Sequence, residues 1–228
     1  MKLLLVSPSR KFGEKLVKAI KIPQLGVHIL ASLTPNDVDI TLVDEESREI
    51  DFSLDFDLVG ISCMTATANK SYQLSDRFRQ RGSKVVLGGI HPTIIPQEAI
   101  QHADSVVIGE AEGCWAGVIT DFRKGRLQKF YYVPVPDLSK VPFPRRDFHI
   151  DKAVFNCIGL LTTRGCPYAC EFCSVTDFYG RGIRHRPVSM AVEDVKQSGS
   201  KTFLILDDNV TGHPEYSKKL FEALIYPP

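Results

Sequence analysis

Apolar residues in the first half of the chain fall into short unbroken runs. Between the runs lie stretches where apolar positions recur every three or four residues. The runs Lys2–Val6, Asp39–Val43, Leu58–Ser62, Lys84–Leu87 and Ser105–Ile108 predict strands. They are continuously apolar rather than alternating, as parallel strands covered on both faces must be. The amphipathic stretches Leu25–Leu33, Ala68–Arg81, Pro96–His102 and Glu112–Arg123 predict helices. Five β-α units in succession argue for an open, doubly wound parallel sheet.

From 124 to 151 the rhythm stops. Val133-Pro134-Val135-Pro136 and Val141-Pro142-Phe143-Pro144 place prolines where neither a helix nor a central strand tolerates them, predicting an extended linker. The β-α rhythm then resumes, with a strand over Asn156–Thr163, a helix over Ser189–Gly199, a strand over Thr202–Leu206 and a helix over Pro214–Ile225. The expected division is a domain over 1–123, a linker over 124–151 and a second domain over 152–228. Two parallel strands with two helices cannot bury both sheet faces, so the second domain reads as the opening of a larger α/β barrel, cut short.

Lys+Arg 28 against Asp+Glu 27 leaves a net charge of +1, which argues against a chain held on nucleic acid or anionic membrane by its overall field. No apolar run approaches the roughly 18 residues of a membrane span. Leu3-Leu4-Leu5-Val6 is too short for a signal-peptide core. Three of the 6 cysteines crowd into one loop instead of spreading as a disulfide scaffold would, which points to a cytoplasmic protein with one cysteine-built site.

That loop, Cys166-Pro167-Tyr168-Ala169-Cys170-Glu171-Phe172-Cys173, follows a strand with the spacing C-x3-C-x2-C. Three thiolates so close suit one soft metal centre. A structural zinc ion wants four ligands, and His185 is the candidate fourth. A [4Fe-4S] cluster on three cysteines instead leaves one iron open. The residues Thr163-Arg164-Gly165-Cys166-Pro167-Tyr168-Ala169-Cys170-Glu171-Phe172-Cys173 resemble the signature of radical S-adenosylmethionine (SAM) enzymes. The resemblance implies that Cys166, Cys170 and Cys173 hold a [4Fe-4S] cluster whose open iron chelates SAM, that Phe172 lies near the adenosyl part, and that reductive cleavage yields a 5′-deoxyadenosyl radical. The nearby basic run 181–187 is either a solvated loop or a holder of the SAM carboxylate, with Arg184 the candidate. Leu206-Asp207-Asp208-Asn209 resembles the aspartate-rich strand end of cobalamin-type radical SAM enzymes, with Asp208 as the cofactor contact. A helix N-cap is the competing reading for Asp208 or Asn209.

In the first domain, a ligand of a flavodoxin-like doubly wound sheet would sit beyond the strand C-termini. Ser62 and Thr65 lie after the third predicted strand, Gly88, Gly89 and His91 after the fourth, and Gly109 and Glu110 after the fifth. Each alone reads equally as turn chemistry. Together, upstream of the cysteine motif, they resemble the cobalamin-binding domain of class B radical SAM enzymes. The Gly88-Gly89 turn would then let backbone approach the corrinoid. The Asp-x-His-x-x-Gly motif that supplies a cobalt ligand in many cobalamin proteins is absent. His28 reads as a packed or surface histidine, and His91 as touching the cobalamin periphery without ligating cobalt. Cys63, Cys114 and Cys157 read as small core residues.

The resemblance therefore implies a flavodoxin-like sheet of cobalamin-binding type followed by the first two β-α units of a radical SAM partial barrel. Its cofactors would be a [4Fe-4S] cluster, SAM and cobalamin. Its function would be methyl transfer to an unactivated carbon of a small molecule, with an electron donor such as a flavodoxin or ferredoxin. A non-methylating radical reaction, or a non-catalytic corrinoid- and cluster-binding fragment, is the alternative. No residue is singled out as catalytic.

Overall fold

The computed structural model describes residues 1–9, 24–148 and 157–225. The chain divides into two compact units, one of Met1–Pro136 with Pro142–Val154 and one of Asp137–Val141 with Phe155–Pro228.

The first unit runs β1 (Lys2–Ser7), α1 (Leu25–Leu33), β2 (Asp39–Asp44), β3 (Leu58–Ser62), α2 (Ala68–Gln80), β4 (Lys84–Gly88), α3 (Ile90–Ile94), α4 (Pro96–His102), β5 (Ser105–Ile108), α5 (Trp115–Arg123) and β6 (Phe130–Tyr132). The strands form one sheet in the order β2-β1-β3-β4-β5-β6, parallel throughout. Successive residues of a strand point to opposite faces, and here both faces are dry. Leu4, Val6, Val59, Val85 and Leu87 pack with Tyr72 and Phe78 of α2 and Ala99 of α4. Leu3, Leu5, Leu58 and Val86 pack with Val27 and Ala31 of α1 and with Trp115, Val118 and Ile119 of α5. Trp115 is almost wholly buried, and its indole Nε1 donates to Thr34 Oγ1 at 2.8 Å.

Two features depart from the sequence reading. The sheet has six strands, not five, because Phe130–Tyr132 adds to the edge beside β5. A three-residue run next to Val133-Pro134 carries little pattern of its own, and an edge is where a strand can end against proline. Second, the stretch read as linker is packed in place. Ser32 Oγ of α1 donates to the Phe143 carbonyl at 2.6 Å, and the Arg145 amide donates to the His28 carbonyl at 3.1 Å. Prolines leave this segment short of donors, so its carbonyls draw on side chains. Between α3 and α4 the helix is interrupted at Ile95, the residue before Pro96, where the α conformation is disfavoured.

The second unit runs β7 (Ile158–Leu160), β8 (Thr163–Cys166), α6 (Val175–Tyr179), β9 (Gly182–His185), α7 (Val188–Ser198), β10 (Phe203–Ile205) and α8 (Pro214–Ile225). β7 and β10 pair in parallel. Leu160, Ala191 of α7 and Leu220 of α8 form their core. The strand expected over Asn156–Thr163 is two strands, of which Asn156 lies outside the described residues. The chain breaks at Leu161-Thr162, and β8 then pairs antiparallel with β9. The basic run is thus largely a hairpin strand rather than a loop. Ile183 is its single aliphatic residue, so periodicity did not reveal it.

His28 offers a test of how the 142–148 segment is held. Its Nδ1 lies 2.6 Å from the Arg145 carbonyl, so that nitrogen carries the proton, and its buried Nε2 has no partner among the described residues. Burial pushes the imidazole below its ordinary value of 6.5, with the Arg145 hydrogen bond opposing and the Arg146 charge assisting. Between the lowered folded value and 6.5 the unfolded chain binds a proton that the folded chain refuses. His28's contribution to stability is therefore complete above 6.5 and is lost as pH falls through the folded value. Urea unfolding from about pH 7.5 to about pH 5 should show a steeper loss in the wild type than in His28→Phe, which cannot titrate. Parallel slopes would refute this account.

Candidate functional site

β3, β4 and β5 are neighbours in the sheet, so their C-terminal ends lie side by side. Ser62 and Gly88 are register partners at this edge. Thr65 is exposed, and Ser62, Gly88, Gly89, Gly109 and Glu110 are half-buried. The strand-end residues singled out in the sequence are thus gathered at one rim, where open α/β sheets place ligands. A polar cleft of about 440 Å³ opens at the opposite end of β4, lined in part by Arg79, Lys84 and Asp104. There Asp104 closes ion pairs with Lys84 at 2.8 Å and Arg79 at 3.4 Å, and nothing recommends that cleft for chemistry.

The rim is cross-braced. The Cys63 amide donates to the Gly88 carbonyl at 2.7 Å and the His91 amide to the Cys63 carbonyl at 3.3 Å. Thr93, not singled out in the sequence, joins two strand ends: its hydroxyl donates to the Gly89 carbonyl at 2.8 Å and accepts from the Gly109 amide at 3.0 Å. Thr93 follows Gly88, Gly89 and His91 in the run Gly88-Gly89-Ile90-His91-Pro92-Thr93, so a hydroxyl two residues after the histidine is the signal that points to it. Gly89 has φ +107, and a Cβ there would lie 2.6 Å from the Cys63 carbonyl oxygen. The space its missing side chain frees is therefore filled by backbone of the β3 end. His91 is buried, with Nδ1 3.3 Å from Thr65 Oγ1 and Nε2 3.4 Å from Glu98 Oε1. Both ring nitrogens are occupied, which leaves neither for a metal. Cys63 is fully buried, and burial raises its thiol above the ordinary value. Burial also pushes the Cys114 thiol up to about 12, so both behave as core groups.

In the second unit the cysteine loop hangs from the β8–β9 hairpin. Cys166 ends β8 opposite Gly182. Gly165 has φ +85, and a Cβ there would meet the Gly182 carbonyl oxygen at 2.5 Å, so only glycine closes the hairpin beside Cys166. Cys170 is exposed, while Cys166 and Cys173 are intermediate. The Cys173 amide donates to the Cys170 carbonyl at 3.0 Å, and Phe172 is 93% exposed. Arg184 lies on β9 opposite Arg164, its guanidinium carbon 5.8 Å from the Tyr179 ring centroid.

His185 is ill-placed as a fourth ligand. It pairs with Thr163, three residues back along β8 from Cys166, or about 10 Å at about 3.4 Å per residue. Its ring packs on His213 at 4.8 Å and Tyr216 at 4.4 Å. Burial, then the neighbouring His213, lowers its pKa.

The turn after β10 clamps this hairpin. Asp207 accepts from the Thr162 amide at 2.7 Å, from Thr163 Oγ1 at 2.9 Å and from the Thr162 hydroxyl. Both threonines are fully buried. Asp208 accepts from the Gly165 amide at 3.0 Å. Asn209 Nδ2 stands 3.4 Å from Cys166 Sγ. Asp208 and Asn209 are not helix caps, since α8 begins at Pro214. Asp207 and Asn209 were missed as site residues because their partners lie more than forty positions earlier.

Among the described residues, no three or more His, Cys, Asp or Glu side chains lie together closely enough to hold one ion. The donor chemistry nevertheless fits a cluster. All three thiols are free and share one loop anchored at its first cysteine. The first unit likewise fits a corrinoid at its partly exposed rim, where His91, among the described residues, has both ring nitrogens occupied.

Residues 19–119 match the B12 binding domain family. The bacteriochlorophyllide d C-8(2)-methyltransferase of Chlorobaculum tepidum is 32% identical over 220 residues, covering 88% of this chain and 48% of that protein. The C-12(1)-methyltransferase of the same organism is 29% identical over 237 residues, covering 98% and 52%. A radical S-adenosylmethionine methyltransferase, TsrM, from Kitasatospora setae, solved with tryptophan substrate and a SAM analog bound, shares the fold. Its TM-score is 0.74 over 97% of this chain and 50% of that one, at 17% identity. The chain spans about half the length of these relatives. The first unit is accordingly a B12-binding domain of flavodoxin-like architecture. Over 88% and 98% of its length the chain is similar to these two methyltransferases, its residues 19–119 match the B12-binding family, and its fold is that of the radical SAM methyltransferase named above.

The rim's backbone packing sets an expectation. Gly89→Ala should cost about 1–3 kcal/mol for its positive-φ, extended-ψ backbone alone, before the contact with Cys63 is relieved. Gly88→Ala, whose Cβ would stand an ordinary 3.7 Å from Val107 Cβ, should be near neutral. Urea midpoints measure both, and equal midpoints would show that Gly89 is not structurally required.

Proposed function

We propose that this protein is a cobalamin-dependent radical SAM methyltransferase that methylates an unactivated carbon of a small molecule. The observation that carries the reading is the succession on one chain of a B12-binding domain and a free three-cysteine loop at the end of a strand. When bound, the cluster and SAM supply a radical that removes a substrate hydrogen, and the corrinoid supplies the methyl group, SAM serving both as radical source and as methyl donor.

The chain's own residues have narrower tasks. Cys166, Cys170 and Cys173 hold the cluster through three thiolates. Phe172, almost fully exposed, provides a face for the adenosyl group. Arg184, on the strand paired with the cysteine strand, provides a cation for the SAM carboxylate. Asp208 holds Gly165 through one carboxylate oxygen and offers the other to the SAM amine. At the first unit's rim, Ser62, Thr65, Gly88, Gly109 and Glu110 line the corrinoid's seat, while Gly89 and His91 keep that rim in shape.

An external one-electron donor of flavodoxin or ferredoxin class completes the system. Six free thiols suit a reducing, cytoplasmic setting. Among the described residues no helix is long and apolar enough to cross a membrane.

Anaerobic reconstitution with iron, sulfide and cobalamin tests the reading. The ultraviolet-visible spectrum should show an iron-sulfur band and separate corrinoid bands, and label from the SAM methyl group should reach the corrinoid. Cys166→Ala, Cys170→Ala or Cys173→Ala should each abolish the iron-sulfur band and the bound iron. The triple Cys63/Cys114/Cys157→Ala variant should retain both. Iron lost only from the triple variant would overturn the ligand assignment, and a loaded cluster without corrinoid uptake would overturn the cobalamin-dependent chemistry.

A further inference from the structure

We infer that Asn209 is a positioning residue for the iron-sulfur centre, donating its side-chain amide to the Cys166 sulfur and thereby setting the centre's reduction potential. The inference rests on the cluster assignment made above and adds to it a residue outside the cysteine motif. Asn209 Nδ2 stands 3.4 Å from Cys166 Sγ, and Asn209 Oδ1 accepts from Thr211 Oγ1 at 3.3 Å. The two contacts fix which way the amide faces. A thiolate can only accept, so it takes the NH₂ end, and the threonine hydroxyl can donate to the carbonyl end.

The placement of Asn209 is imposed by its neighbours. Asp207 is tied to Thr162 and Thr163, Asp208 to Gly165 and Asn209 to Cys166, so three successive residues grip successive points along the strand that delivers the first cysteine. The Gly212 amide closes the turn onto the Asn209 carbonyl at 3.1 Å. Among the described residues, Asn209 is the one side-chain donor to any of the three loop sulfurs.

An N–H···S hydrogen bond draws electron density from a ligating sulfur. It stabilises the reduced, more negative cluster over the oxidised one and raises the potential. A carboxylate in the same place would do the reverse. A residue that merely braces the loop would change how much cluster is retained without changing the potential of the cluster that is.

The test uses this chain, reconstituted anaerobically with iron and sulfide as wild type, Asn209→Asp, Asn209→Ala and Thr211→Val. Iron and sulfide content come first, then the midpoint potential, by reduction with dithionite under electron paramagnetic resonance. At a fixed potential the reduced-to-oxidised ratio should fall several-fold in Asn209→Ala and further in Asn209→Asp, a tenfold fall being about 59 mV for a one-electron couple. Thr211→Val, which frees the amide to turn, should shift the ratio less and in the same direction. Loaded Asn209→Asp with the wild-type potential would overturn the inference alone. Loss of the cluster from every Asn209 variant would also overturn it, making the residue one of assembly. A wild-type chain that takes up no cluster would overturn the enzyme reading beneath it.

Discussion

Leu3, Leu4, Leu5 and Val6 are all fully buried, two on each face of the sheet, and that double burial constrains everything else in the first unit. A parallel sheet with helices on both faces has no solvated face on which to carry polar chemistry. Its functional groups can stand only where strands end. The same constraint explains why the rim residues are small. β3, β4 and β5 lie one strand spacing apart, about 4.8 Å, so their exits must cross at close range. Backbone of one exit fills the space that a side chain on the next would need, as Cys63 does beside Gly89.

Strand ends also leave backbone donors and acceptors that no ladder satisfies, and buried groups of this kind must find partners. Both units answer with short side chains that reach across to a neighbouring strand. In the first, the Thr93 hydroxyl takes the Gly109 amide and gives to the Gly89 carbonyl. In the second, Asp207 and Asp208 take the amides of Thr162 and Gly165. These bonds carry a geometric consequence beyond their energy. They fix the relative positions of loops from different strands, which sequence-local turns cannot do, and so build a site from segments distant along the chain.

The sheet was legible because its signal is repeated: five apolar runs separated by helical periodicity leave few alternatives, and strands β1 to β5 stand within a residue or so of their expected bounds. The cysteine loop stands out in the sequence because its three thiols share eight consecutive residues. β6 and the β8–β9 hairpin were not. Three or four residues give too few periods to distinguish a strand from a loop, and Arg184 and His185 in β9 hide a pattern that only pairing with β8 makes visible. The packing constraint on Gly89 was not legible on similar grounds. A glycine pair after a strand signals close approach, but the approaching partner, Cys63, belongs to another strand.

For the cluster proposed above, the cysteine spacing and the turn after β10 carry different kinds of information. Spacing within the loop defines which sulfurs can share a cluster, and that property travels with the local sequence. The environment of those sulfurs depends on side chains that the parallel pairing of β7 with β10 brings to the hairpin, Asn209 lying 43 positions from Cys166. On that proposal, a substitution in the turn alters the surroundings of Cys166 while every cysteine remains. The acidic pair beside Asn209 makes such change local. Asp207 satisfies the buried Thr162 and Thr163 whatever stands two residues on, so the strand that presents Cys166 keeps its anchor when the donor to the sulfur is exchanged.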